Sequence, residues 1–299
     1  MNLLNIIQEI EKVDPEFQEK ISPRRAAIKN ITSFGSKVAV AAIPFALGSL
    51  FKKAYAQQSA TNIVAILNYA LTLEYLEANF YNTGLGTTTA TTFALGTPSA
   101  TEIAGLKLIQ TDENNHVTFL RTAISSLGGT PVTYTAAQFD FTGSGNFPTV
   151  FTNFNTFIAV AESFEDTGVR AYKGRAPELL NNQQGILTAA LNIHSVEARH
   201  ASHLRMLRRL RGVAIKPWVT STTAQSNDSG IPQVDAVYGA GTSASFPAEN
   251  NTTQGGVNIL SLAAVSGTTS VTAATESFDE PLDSAAVINI VKLFAPFLR

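Results

Sequence analysis

Four glutamates and two histidines fall in one register along four helical stretches of this 299-residue chain. The first stretch carries Leu67, Ala70, Glu74, Glu77 and Tyr81, and the second Leu106, Ile109, Glu113, His116 and Leu120. The third carries Ile158, Ala161, Glu165, Gly168 and Tyr172, and the fourth Ile193, Glu197, His200 and Leu204. Steps of three and four residues put each set on one face of its helix, where a glutamate interrupts an apolar stripe near its midpoint. A carboxylate buried alone costs several kcal/mol or takes up a proton, and four at one depth repel one another. Two divalent cations would supply the missing positive charge, and carboxylate oxygen with imidazole nitrogen suits iron or manganese. The pattern therefore predicts a pair of metal ions held by Glu74, Glu113, His116, Glu165, Glu197 and His200.

Several neighbours compete for places in that site. Glu77 stands where the second and fourth stretches place histidine; it reads as an exposed acid flanking the site in preference to a ligand. Glu162 lies one turn before Glu165, but only Glu165 has a tyrosine, Tyr172, at the spacing that separates Glu74 from Tyr81. His194 and His203 bracket the fourth Glu-x-x-His at steps of three residues, which drift around a helix, so both are expected at the edge of the site or outside it. Tyr81 and Tyr172 read either as donors to ligand carboxylates or as core aromatics whose hydroxyls need a partner. Arg205, Arg208, Arg209 and Arg211 read as a solvated helix end that complements the dipole.

The elements that must position these residues are helices over about 58–82, 99–127, 149–174 and 178–211. A Gly- and Thr-rich loop follows the first. About 20 residues, from Gly128-Gly129-Thr130-Pro131 to Pro148, separate the second from the third, long enough to cross the whole bundle and leave those two helices parallel. A short third gap makes the last two antiparallel, with Pro177 and Glu178 as a helix start and Gly212 as a stop. One long crossover in an all-α four-helix bundle is the ferritin-like connection, and that fold places a Glu on each of two helices and a Glu-x-x-His on each of the other two.

The segments Asn68-Tyr-Ala-Leu-Thr-Leu-Glu-Tyr-Leu-Glu-Ala-Asn-Phe-Tyr81, Phe164-Glu-Asp-Thr-Gly-Val-Arg-Ala-Tyr172 and Glu197-Ala-Arg-His-Ala201 resemble the bacterial and plant family of ferritin-like, desiccation-related proteins. The resemblance covers about residues 58–215, with the tail motif Pro247-Ala-Glu-Asn-Asn-Thr-Thr253 in addition. It implies the bundle and the same six ligands, and says far less about activity. Glu74 with Tyr81 is also similar, more distantly, to the first helix of true ferritins.

The flanking regions are of another kind. Residues 1–57 contain Ser22-Pro23-Arg24-Arg25, a moderately apolar stretch from Val38 to Phe51 and Ala54-Tyr55-Ala56-Gln57. These resemble a twin-arginine export signal with its cleavage site, which would place the protein outside the cytoplasm, in the periplasm or at the surface. The other reading is a retained helical anchor, since Leu3, Ile6, Ile7 and Ile10 follow helical spacing. Residues 213–299 are rich in Ser, Thr, Gly and Asn and read as an extension that wraps the bundle and ends in a helix over Asp283–Phe294. Net charge of −2 gives no electrostatic reason to expect nucleic acid, and the absence of cysteine excludes thiol catalysis and iron–sulfur clusters.

The leading expectation is a di-iron or iron–manganese oxidoreductase of ferroxidase or peroxide-reducing type. Its partners would be ferrous ions, dioxygen or peroxide, with a role in stress protection, and a homo-oligomer is compatible with the sequence. The competing expectation is a structural or stress-protective protein whose metals only hold the bundle together. Iron storage in a hollow cage fits less well, because the leader and the long tail sit awkwardly on compact shell subunits.

Overall fold

The computed structural model describes residues 60–86, 93–180, 184–221, 231–264 and 267–298. The export-signal and anchor readings of residues 1–57 lie outside the described residues. Four long helices carry the fold: α1 (Ala60–Leu85), α2 (Ala100–Ser126), α3 (Phe154–Arg175) and α4 (Gln184–Leu210). They pack chiefly as two pairs, α1 with α2 and α3 with α4. Among the described residues, no helix is long and apolar enough to cross a membrane.

Local chemistry sets the helix ends. Ser99 and Glu102 form a reciprocal cap on α2, the Glu102 amide donating to Ser99 Oγ at 3.2 Å and the Ser99 amide to Glu102 Oε2 at 2.7 Å. Two starts differ from the sequence expectation. The stretch from Thr149 closes a turn, with the Thr152 amide on the Thr149 carbonyl, and α3 begins only after Asn153 caps the amide of Asn155. Pro177 and Glu178 do start a helical turn, but it is a separate 3-10 turn over Ala176–Leu179, ahead of α4.

The long crossover is real, and backbone pairing fixes its sense. Leu95, just before α2, exchanges hydrogen bonds with Thr152 and Phe154, at the start of α3. The two helices therefore begin at the same end and run parallel. Asn68 of α1 holds the start of the crossover at the other end, donating to the Thr130 carbonyl at 3.1 Å and accepting from the Val132 amide at 2.8 Å. The crossover then returns along the bundle and seals it with aromatics. Phe141 meets Phe80 edge-on at 5.6 Å, and Phe80 stacks on Phe157 at 4.7 Å.

The tail is irregular, with two short antiparallel hairpins (Thr253–Gln254 with Val257–Asn258, and Ala263–Ala264 with Gly267–Thr268) and the helices α5 (Val271–Thr275) and α6 (Ser284–Val291). It is nevertheless seated on α3. Buried Arg170 donates to the carbonyls of Glu280 (3.0 Å), Gly239 (2.8 Å), Pro247 (2.9 Å) and Val237, and pairs with the Glu249 carboxylate at 2.9 Å. The tail motif around Pro247 and Glu249 is thus a docking device. Gly174 completes it: an added Cβ there would lie 1.9 Å from the Leu282 carbonyl oxygen, so only glycine lets that strand of tail lie on the helix. In α6 the buried line is Val287 and Val291 leading to Phe294, with Ala286 and Ile290 half-buried beside it.

Candidate metal centre

All six residues predicted from register meet at one level of the bundle. Glu74, Glu113, Glu165 and Glu197 have no exposed surface, while His116 is 8% and His200 5% exposed. They form two overlapping sets whose potential ligand atoms lie within 4.8 Å of one another: Glu74, Glu113, His116 and Glu197, and Glu113, Glu165, Glu197 and His200. Glu113 and Glu197 belong to both sets, so the geometry divides into two positions with two shared carboxylates. Each Glu-x-x-His puts its imidazole one turn along the same face, which is why α2 and α4 supply both a shared carboxylate and a nitrogen.

Both imidazoles present Nδ1 to the cluster. His116 Nδ1 lies 3.1 Å from Glu74, 3.2 Å from Glu113 and 3.2 Å from Glu197. His200 Nδ1 lies 2.8 Å from Glu113 and 3.1 Å from Glu165. One ring nitrogen carries at most one hydrogen and cannot satisfy three carboxylates from three helices. Both oxygens of Glu197 and Oε1 of Glu113 indeed lack a well-formed hydrogen bond although they are buried, and Oε1 of each lies within ion-pair reach of an imidazole. A divalent cation at each position would give every one of these oxygens a partner, so the residues fit a metal pair. Oxygen with imidazole nitrogen, and no sulfur, is a donor set that suits several divalent metals, iron and manganese among them.

The remaining polar contacts aim the ligands. Tyr81 of α1 donates to Glu165 Oε1 of α3 at 2.6 Å, and Tyr172 of α3 donates to Glu74 Oε1 of α1. Each tyrosine therefore orients the glutamate of the opposite helix, a reciprocal arrangement built on the equal spacing of Glu74 to Tyr81 and of Glu165 to Tyr172. The outer nitrogen of His200, Nε2, lies 3.2 Å from Asp112, whose side chain is 48% exposed. This contact links the buried cluster to the surface and fixes the ring with Nδ1 inward. His194 and His203 lie outside both sets.

Electrostatics reflect the surplus of acid. Burial, together with Glu165 and Glu74, pushes the Glu113 carboxyl up to about 7 against the pull of both histidines. Burial and the Glu113, Glu165 and Glu74 carboxylates raise Glu197 well above its ordinary range. Burial alone would raise Glu165 too, but the neighbouring His200 holds it below the usual carboxylate range. Burial would lower both imidazoles; instead the carboxylates around them raise His116 far above its ordinary value and His200 to about 12. A cation held by these residues would compete with the protons that the carboxylates favour on the imidazoles.

Two sequence expectations are corrected here. Glu77 is not an exposed flanking acid: it is 3% exposed and turned into the cluster, with burial and Glu197 raising its carboxyl well above the usual range. The signal for it was its shared register with His116 and His200. Likewise, Arg205 and Arg208 are not a solvated helix end, being 0% and 5% exposed. Arg205 pairs with Asp166 at 2.6 Å and Arg208 with Glu162 at 2.9 Å, while the Tyr238 hydroxyl donates to Asp166 at 2.5 Å. Glu162, the rejected rival of Glu165, thus belongs to a second buried charge cluster. Arg211 is half-buried, bonding Glu102 at 2.7 Å and Asn155 at 2.6 Å, and Arg209 alone among the four matches the solvated reading.

No curated protein matches the chain. A protein family described as the ferritin-like domain matches residues 62–209, a span that holds every residue of the cluster and all but the outermost residues of the four bundle helices. Fold, crossover, register and family agree, and the chain is a ferritin-like domain-containing protein.

Proposed function

We propose that the cluster binds a pair of iron ions, or iron with manganese, and that the protein oxidises ferrous iron with dioxygen or peroxide. The observation that supports this most is the pair of inward Nδ1 atoms facing two shared, unsatisfied glutamates, Glu113 and Glu197. Glu74 with His116 and Glu165 with His200 would complete the two positions. A bound pair would supply one-electron redox steps that the side chains themselves lack. The chain's own residues would do the rest: Tyr81 and Tyr172 orient Glu165 and Glu74, and the bundle core excludes water. At His200 Nε2 a proton can pass to or from the partly exposed Asp112 carboxylate, a bonded pair that joins cluster and surface.

Ferrous iron added in air to purified protein should be oxidised faster than in buffer. Glu113→Ala and Glu197→Ala should abolish that rate, because each removes a carboxylate shared by both positions. The competing function, a metal-stapled scaffold, is favoured by the near-complete burial of all six ligands. It predicts two tightly held ions with no oxidation above background, and that outcome would overturn the redox reading while leaving the metal pair intact.

The role in stress protection, and in particular the desiccation-related character that the sequence resembles, is part of the same proposal. So is export through the Arg24-Arg25 segment. With Arg24→Lys and Arg25→Lys together, the protein should remain in the cytoplasm; fractionation that still finds it outside would overturn the export reading.

A further inference from the structure

The six-ligand scheme leaves one buried acid at the cluster without a role. Glu77 lies on α1 one turn beyond Glu74, at the position that α2 and α4 fill with His116 and His200. The matching position on α3 is Gly168. A Cβ added to Gly168 would lie 3.2 Å from Glu197 Oε2 and 3.3 Å from Glu77 Oε1. Both carboxylates therefore border the same point, the place a side chain on α3 would otherwise occupy. The match between α1 and α3 is broken at this one level: α1 carries an additional carboxylate, and α3 carries no side chain there and makes room for it. Glu77 is outside both four-residue sets, but its neighbour Glu197 belongs to both.

Charge gives the asymmetry a consequence. Four ionised glutamates balance two divalent ions, and a fifth balances one further positive charge, which is the step from a divalent to a trivalent ion. In so dry a site an unbalanced charge is expensive. We propose that Glu77 is a further metal ligand, a fifth carboxylate that joins the pair beside Glu197 in the space left by Gly168, and that it biases the pair toward trivalent ions. The inference rests on the metal-pair reading above, and goes beyond it in assigning Glu77 and the preference for charge.

Redox-inert probes test this without any turnover. Zinc(II), and gallium(III) supplied as its nitrilotriacetate complex, are titrated into chelator-treated full-length protein, with folding followed by circular dichroism. Wild type should take up two ions of either kind per chain. Glu77→Gln, which keeps shape and loses charge, should still take up two zinc ions with little change in affinity, but bind gallium about 10–100-fold more weakly, the range for a lost partner at a metal site. Gly168→Ala, whose methyl group crowds both carboxylates, should shift the same gallium-to-zinc ratio in the same direction. Equal losses for both ions would make Glu77 a packing residue and overturn the proposal, as would unchanged binding of both. Wild type that takes up neither ion would overturn the metal-pair reading itself, and so is distinguishable from failure of the Glu77 assignment alone.

Discussion

α3 and α4 build two buried charge clusters a turn or two apart, and the clusters are solved in opposite ways. Glu162 and Asp166 face Arg205 and Arg208, so two acids meet two guanidinium groups and the charge closes within the chain. At the other level Glu74, Glu77, Glu113, Glu165 and Glu197 have, among the described residues, His116 and His200 as their basic neighbours, whose imidazoles carry charge only by holding protons. Arginine stays charged at any working pH and makes fixed pairs. Imidazole gives up its proton to a cation. The first cluster is therefore structural ballast that ties bundle to tail through Tyr238, and the second carries more acid than the basic side chains around it can neutralise. Burial of charge alone does not identify a site; burial of charge that the chain cannot itself neutralise does.

Removing a cation from the closed cluster should give the largest effect. Arg205→Met leaves Asp166 and Glu162 buried with one guanidinium between them, a type of change that costs about 3–5 kcal/mol. The loss should appear in urea unfolding of both metal-loaded and chelated protein, because nothing at the metal level can compensate. A midpoint that fell only in the chelated protein would mean the clusters are coupled, and would break the comparison.

Chelation is the corresponding test of the open cluster. A ligand bound only to the folded state stabilises it by RT ln(1 + [L]/Kd), which is about 4 kcal/mol when free metal exceeds Kd a thousandfold. Metal-loaded protein should lose that stability on treatment with a chelator and regain it on addition of ferrous or manganous ion. An unchanged unfolding midpoint after complete metal removal would contradict the reading of the cluster as a cation site.

Glu113→Gln should separate the clusters by sign. Unlike Arg205→Met, it should stabilise chelated protein at pH 8, by on the order of 1–3 kcal/mol, since it deletes a charge that its surroundings disfavour. It should also eliminate tight binding of two ions. The pH dependence follows the same logic. Glu113 has its folded value raised from 4.5 to about 7, so its contribution is fully present below about pH 4.5 and is lost as pH rises through 7. Chelated wild type should therefore lose stability over that window more steeply than Glu113→Gln. Glu162, also raised to about 7 by burial, contributes equally to both proteins and cancels in the difference. Metal affinity should run the other way and increase with pH, because binding releases those protons. Affinity that is flat between pH 5 and 8 would show that the cluster is already deprotonated.

The open cluster was legible in the sequence because its signal is periodic. A glutamate in the middle of an apolar stripe, four times over, can be read without knowing how the helices pack. The bundle and its crossover followed from the gap around Gly128 to Pro148 for the same reason. The closed cluster was not legible from single helices, since Arg205 and Arg208 beside Leu204 look like any basic helix end. It becomes readable only when α3 and α4 are laid antiparallel: Glu162, one turn before Glu165, then comes level with Arg208, two turns beyond His200, and Asp166, next to Glu165, meets Arg205. Glu77 was misplaced because its fate is decided on another helix, where Gly168 leaves the room it occupies. The docking of the tail by Arg170 and Glu249 likewise joins residues that share no local pattern.

The smallest effects should come from the two tyrosines, and they test whether the open cluster is as symmetric as its register. Tyr81→Phe removes a hydrogen bond to Glu165, and Tyr172→Phe removes one to Glu74. Each loss should cost about 1 kcal/mol of stability, the usual net worth of such a bond, and about tenfold in metal affinity through a less firmly aimed carboxylate. Burial and the facing carboxylates hold both hydroxyls well above their ordinary range, so they stay donors throughout the pH range of the measurement. If Glu77 acts only as packing, the two variants should weaken zinc and gallium binding alike. If Glu77 joins the pair from α1, the helices are no longer equivalent. Glu74 then shares its end of the site with another carboxylate from its own helix, and Tyr172→Phe should weaken gallium binding less than Tyr81→Phe does. Isothermal titration of both ions into both variants checks this, and identical losses would restrict the asymmetry of the site to its charge.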